Sequence, residues 1–142
     1  MASVKLTRDD FKQLAKIRLK EAKVLLDKEN YDGAYYLLGY TIECGLKACI
    51  AKQTNKYDFP DKKVVNDSYC HDLKQLLGLT EFALPINDER KRNKDLEVNW
   101  SIVIAWDESS RYHTHSKVDT EGLYSAITNT RNGVLRWIKK YW

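Results

Sequence analysis

Two oppositely charged side chains, Glu43 and Lys47, stand one helical turn apart in the run Tyr31 to Lys47 (YDGAYYLLGYTIECGLK), which carries only one other charge, Asp32. Burying a carboxylate and an ammonium is costly unless they pair. Helical proteins tolerate such a pair where it organises a site or fixes packing. At helical spacing Tyr36, Gly39, Tyr40, Glu43 and Lys47 share one side, with a notch at Gly39 where another backbone can approach closely. The two phenols can stack on a base or serve as core. The charged pair reads either as an intrahelical ion pair assisted by Tyr40 and Arg18, or as a cleft floor where Glu43 orients Arg111 or a bound phosphate.

A second cluster is Arg111-Tyr112-His113-Thr114-His115. Histidine trades protons near neutral pH, and the planar guanidinium fork suits phosphate oxygens. The same residues also suit a plain surface loop with Arg111 paired to Asp107 or Glu108. His113 and His115 lack an evident third ligand, and His71 with Asp72 is the only other donor cluster, so no metal and no cofactor is expected. His71 opens a short helix, where a histidine caps, packs or touches a ligand.

The elements that must position these groups are helical. Thr7 and Asp10 form a capping-box pattern ahead of Phe11, Leu14, Ala15, Leu19, Ala22, Leu25 and Leu26, which predicts a helix from about Arg8 to Lys28. Asn30-Tyr31-Asp32-Gly33 is turn chemistry, with Asp32 as the expected N-cap of a second helix reaching about Lys52. That helix is apolar nearly all round, which predicts a central position. Gln53 to Asp67, with Pro60, reads as a loop. A short helix follows with Leu73, Leu76 and Leu77. Another is expected from Asp88 with Leu96, Trp100, Val103 and Trp106 on one side, and the charges between Asp88 and Asp95 mark its solvated start. Asp107 to Lys117 breaks the pattern. A final helix is expected from Asp119 or Thr120 to the C-terminus, its stripe running from Leu123 through Ile138 to Tyr141. Trp137, Tyr141 and Trp142 suit core or dimer-interface anchoring. The expected fold is all-α, an antiparallel up-and-down bundle of about five helices in one domain, residues 1–142.

Composition sets the outer bounds. With 142 residues, two prolines and six glycines, the chain suits one helical domain better than an all-β sandwich. No apolar stretch approaches membrane-spanning length, which predicts a soluble, cytoplasmic protein. Three cysteines without a C-x-x-C pair suit small core residues in a reducing compartment. A net charge of +4 permits attraction to phosphates without declaring a nucleic-acid binder.

The segment from Arg18 to Lys47, then His71-Asp72-Leu73, then Trp106 with Arg111-Tyr112, resembles the HEPN domain (higher eukaryotes and prokaryotes nucleotide-binding) in the expected order. The element Y-D-G-A-x-Y-L-x-G-Y-x-x-E-x-x-L-K carries most of that likeness. The resemblance implies a helical bundle, commonly homodimeric, often beside a nucleotidyltransferase-like protein in toxin–antitoxin or antiphage defence systems. It implies one of two activities, metal-independent cleavage of RNA or non-catalytic binding of nucleotide or RNA. In the cleaving branch an arginine and a following histidine act across a dimer. Here those residues would be Arg111 as phosphate clamp and His115 as acid and base, with His113 as helper. Three residues separate Arg111 from His115, one fewer than that branch carries, which favours the binding branch.

The expected ligand contacts are then Tyr36, Tyr40, Glu43, Lys47, His71, Tyr112 and His113. The first expectation is a homodimeric nucleotide- or RNA-binding domain with a nucleotidyltransferase-like partner. The second is an endoribonuclease using Arg111 and His115. The third is a helical interaction scaffold without ligand.

Overall fold

The computed structural model describes residues 6–56, 59 and 61–142. The first helix, α1 (Arg8–Asp27), begins on the expected capping box. The Thr7 backbone N–H donates to the Asp10 carboxylate at 2.9 Å, and the Asp10 N–H donates to the Thr7 hydroxyl at 3.1 Å. Its inward face carries Ala15 and Ala22, both fully buried. Small residues there let the next helix lie close.

α1 ends in a Schellman turn, with the Asn30 N–H on the Leu25 carbonyl at 2.8 Å and the Glu29 N–H on that of Leu26 at 3.0 Å. Glu29 supplies the left-handed residue, at φ 62°. The reversal therefore falls one residue earlier than the Asn30–Gly33 cluster suggested. α2 (Tyr31–Thr54) starts at once from Asn30, whose side chain makes no cap bond. Asp32 is inside this helix rather than its cap, and its carboxylate accepts the His115 backbone N–H at 2.5 Å.

α2 is the central element, as its apolar circumference predicts. Leu38, Ile42, Leu46, Ala48, Cys49 and Ile50 are buried along it. It packs against α1, α4 (Leu73–Leu79), α7 (Lys117–Thr128), α8 (Val134–Lys139) and a 3-10 turn at Glu108–Tyr112. Gln53 ties its far end to the chain after α4, donating to the Leu79 carbonyl at 3.0 Å and accepting from the Glu81 N–H at 2.6 Å.

The fold is all-α, but eight α-helices appear among the described residues where about five were expected. Each added helix has a local cause. Asp61 accepts from the Lys63 N–H at 2.8 Å and starts α3 (Lys62–Asp67) inside the expected loop; Pro60 lies outside the described residues. The helix expected from Asp88 is two, α5 (Ala83–Arg92) and α6 (Lys94–Ile104). Asn93 divides them because its backbone is extended and its side chain accepts the Leu96 N–H at 3.2 Å, capping α6. The expected C-terminal helix is also two, α7 and α8. Asn129 leaves helical geometry and its side chain accepts from the Arg131 and Asn132 N–H groups. Gly133 then passes so close to the Asn129 carbonyl that a Cβ there would sit 2.4 Å from its oxygen. Among the described residues no helix is long and apolar enough to cross a membrane.

Candidate functional site

Trp106, at the end of α6, decides where the site is. Its indole lies in the notch at Gly39, where a Cβ would fall 1.9 Å from a ring carbon. The notch thus receives a side chain, not the backbone expected there. Shape alone holds the ring: it is 2% exposed, yet its indole N–H has no acceptor among the described residues. The ring meets Tyr40 edge-on at 5.6 Å between centroids. The chain leaving Trp106 is therefore pressed against the middle of α2. Asp107 then starts the 3-10 turn Glu108–Tyr112 by accepting the Ser109 N–H at 2.8 Å.

Beside this turn the Glu43 side chain is 5% exposed and faces two cations or potential cations. Lys47 Nζ lies 3.5 Å from Oε2, and His71 Nδ1 lies 2.7 Å from Oε1. A carboxylate oxygen can only accept, so His71 donates through Nδ1–H. The outer edge of the same imidazole, Nε2, stands 3.5 Å from Glu108 Oε2. His71 can reach α2 because Asp72 caps α4 directly after it, accepting the Gln75 N–H at 3.1 Å.

The phenols extend the row. Tyr36 donates to the Tyr40 hydroxyl at 3.1 Å, and the Tyr40 ring lies 6.0 Å from that of His71. Burial, then the bond with Tyr36 and the nearby Glu43 charge, pushes the Tyr40 hydroxyl well above the ordinary tyrosine range. It is therefore a neutral hydrogen-bonding group at physiological pH. Arg111 comes from the exposed side of the 3-10 turn. The Tyr36 phenol, and after it Tyr112, holds its guanidinium still more firmly protonated than usual, and its carbon lies 4.8 Å from the Tyr112 ring centroid. It makes no ion pair among the described residues. Neither expected acid partner takes it. Asp107 turns to Ser109 and Glu108 to His71.

The fold therefore gathers Tyr36, Tyr40, Glu43, Lys47 and His71, with Arg111 and Tyr112 at the rim. It does not bring His115 there. That imidazole stacks on Tyr35 at 3.8 Å and 8° between planes, and its Nε2–H donates to the Ser110 carbonyl at 3.0 Å. It borders a hollow of about 290 Å³ lined also by Glu29, Asn30, Tyr31, Asp32 and Gly33. Two carboxylates there repel phosphate. His113 is exposed. Arg18 pairs with Glu21, one turn away on α1, instead of with Glu43.

The residue sequence reading placed least well is Glu108, weighed only as a partner for Arg111. Tyr35 was also passed over, though the Tyr35-Tyr36 doublet must turn its two rings to different sides of a helix. Among the described residues no group of three or more His, Cys, Asp or Glu side chains is placed to hold a metal ion. Comparison with protein-family models, with curated proteins and with solved structures found no match.

Proposed function

We propose that this chain is an HEPN-like domain that binds nucleotide or RNA phosphate on the surface where α2, the start of α4 and the 3-10 turn meet. The observation that carries this reading is the Arg111 guanidinium, held by Tyr36 and Tyr112 and without an acid partner among the described residues, at the rim of a row of phenols. Below it, the buried Glu43 is already answered by His71 and Lys47. A guanidinium without an acid partner keeps its charge uncompensated and attracts phosphate oxygens. Tyr112 beside it offers a π-face to a base. Homodimer formation and a nucleotidyltransferase-like partner in a toxin–antitoxin or defence system rest on the resemblance of Tyr31 to Lys47 and its companion segments.

The test is a titration followed by NMR at low salt, with ATP and with a short RNA. Shifts confined to Tyr36, His71, Arg111 and Tyr112, lost in Arg111→Ala, are expected. An unchanged spectrum, or equal shifts in Arg111→Ala, would reject the site.

A second reading, a metal-independent endoribonuclease, is favoured by one observation and with a different histidine. His115 has its ring stacked and its Nε2–H bonded, whereas His71, 43% exposed, has its tautomer set by Glu43 and its Nε2 edge 3.5 Å from Glu108 Oε2. A carboxylate-held imidazole of this kind can act as a general base. RNA incubated with chelator separates the two readings. Cleavage lost in His71→Ala and kept in His115→Ala supports the enzyme; equal trace cleavage in both removes it.

A further inference from the structure

We propose a second nucleic-acid contact, away from Arg111, where α1 meets the chain just after α8: a lysine cluster around Trp142 that binds the phosphate backbone of an RNA strand. This deepens the reading above and rests on it for the class of ligand. Lys12, Lys16 and Lys139 place their ammonium groups 5.6, 5.9 and 5.8 Å from the centroid of the Trp142 ring. No two of them can then be more than about 12 Å apart, about one and a half Debye lengths at physiological salt. Lys140 adds a fourth charge 4.2 Å from the Trp137 ring centroid. None of the four pairs with an acid among the described residues. The nearest acids along α1 are Asp9 and Asp10 of its first turn, and Asp10 is bonded to Thr7. Arg8 is occupied at the Trp142 carbonyl oxygen and is left out of the count.

Residues 12 and 16 come from one end of the sequence and 139 and 140 from the other, so the fold itself brings these like charges together. Their repulsion opposes folding, and a polyanion relieves it. An RNA strand suits the patch better than a membrane surface. Trp142 is 8% exposed and Trp137 half-buried, so neither indole can insert into lipid, whereas ammonium groups at a short spacing match successive phosphates. A mononucleotide would need only the Arg111 site; the patch implies a polymer.

The experiment is fluorescence anisotropy on the full chain with a labelled single-stranded RNA of about 20 nucleotides, between about 50 and 200 mM salt. The triple variant Lys12→Gln, Lys16→Gln, Lys139→Gln is compared with a control of equal charge change at exposed positions elsewhere, Lys74→Gln, Lys91→Gln, Lys94→Gln. Circular dichroism checks that both fold. Three lost phosphate contacts should reduce the salt slope by about 2 and weaken binding on the order of 10- to 100-fold near 0.1 M salt, in the patch variant alone. Unchanged binding, or an equal loss in the control, overturns the patch. So does preferential binding to vesicles rich in phosphatidylserine with RNA ignored. ATP titration keeps the two proposals apart. ATP shifts that survive in the patch variant leave the Arg111 site standing whatever the RNA result. Patch-dependent RNA binding without any ATP shift leaves only the lysine cluster.

Discussion

Glu43 accepts a hydrogen bond from His71 at 2.7 Å across 28 residues of chain, joining the middle of α2 to the head of α4. Glu43 is the one buried carboxylate among the described residues, and half of its satisfaction comes from a histidine whose side chain is 43% exposed. A buried carboxylate's hydrogen bond and a solvent-exposed edge thus meet in one imidazole.

The first prediction follows from that pair. His71→Ala leaves a buried carboxylate oxygen without its donor and should cost about 1–3 kcal/mol in urea denaturation. Glu43→Gln should cost less than Glu43→Ala, because the amide oxygen can still accept from Nδ1–H. A double-mutant cycle should give a coupling of about 1 kcal/mol or more. Strictly additive losses would mean that the bond contributes nothing.

Gly39→Ala is expected to be among the most damaging single-methyl additions. The added carbon would overlap the Trp106 ring at 1.9 Å, and the ring is hemmed in by Tyr36 and Tyr40. Overpacking of this kind costs about 2–3 kcal/mol. The accompanying change should be larger NMR shifts at Glu108 and Arg111 than at the distant α5. Trp106→Leu in the same chain should recover part of the loss, and failure to recover any would show that the notch is not a ring seat.

Alkaline stability should fall in a window set by two thiols. Burial pushes Cys44 up to about 11 and Cys49 up to about 12, from an ordinary 9.0. Above pH 9 the unfolded chain releases these protons while the folded chain keeps them. The unfolded state then binds fewer protons, so stability decreases as pH rises. The contribution is whole below pH 9 and is lost as pH passes through 11 and 12. Melting temperatures between pH 8 and 11 should fall less steeply in Cys49→Ala than in the parent. Over the same range a thiol reagent should label Cys70 first, since Cys44 and Cys49 are buried and Cys70 is not.

Glu29→Gly should stabilise the protein. Glu29 holds the left-handed place in the Schellman turn at φ 62°, where a side chain is disfavoured and glycine is not. After glycine's own loss of freedom, a net gain of about 0.5–1 kcal/mol is expected by chemical denaturation. A loss instead would show that the Glu29 carboxylate takes part in the hollow beside His115.

Sequence periodicity was enough for α1, for the central place of α2 and for the apolar side of α6, because each is decided by where greasy residues recur. It failed at Asn93 and Asn129. There one asparagine side chain outbids the helix hydrogen bond, and nothing in the apolar spacing registers such a local competition. Within the site, Tyr36, Tyr40, Glu43 and Lys47 were legible because they share one helix. His71 was harder to place, since its meeting with Glu43 depends on how α4 docks. The contacts of His115 were not legible because Tyr35 and the carbonyl of Ser110 lie on other elements, and only the folded chain shows its ring stacked and bonded.

Residues 107–114 are fastened at both ends, by the Trp106 indole seated on α2 and by the His115 ring clasped to Tyr35 with its amide on Asp32. A strap moored in this way has little motional freedom left to surrender when something touches its outer side. Arg111 would then meet an anion as a preorganised prong, with most of the ordering entropy already spent during folding. Loosening either mooring should show first as a faster off-rate, well before the helices themselves give way.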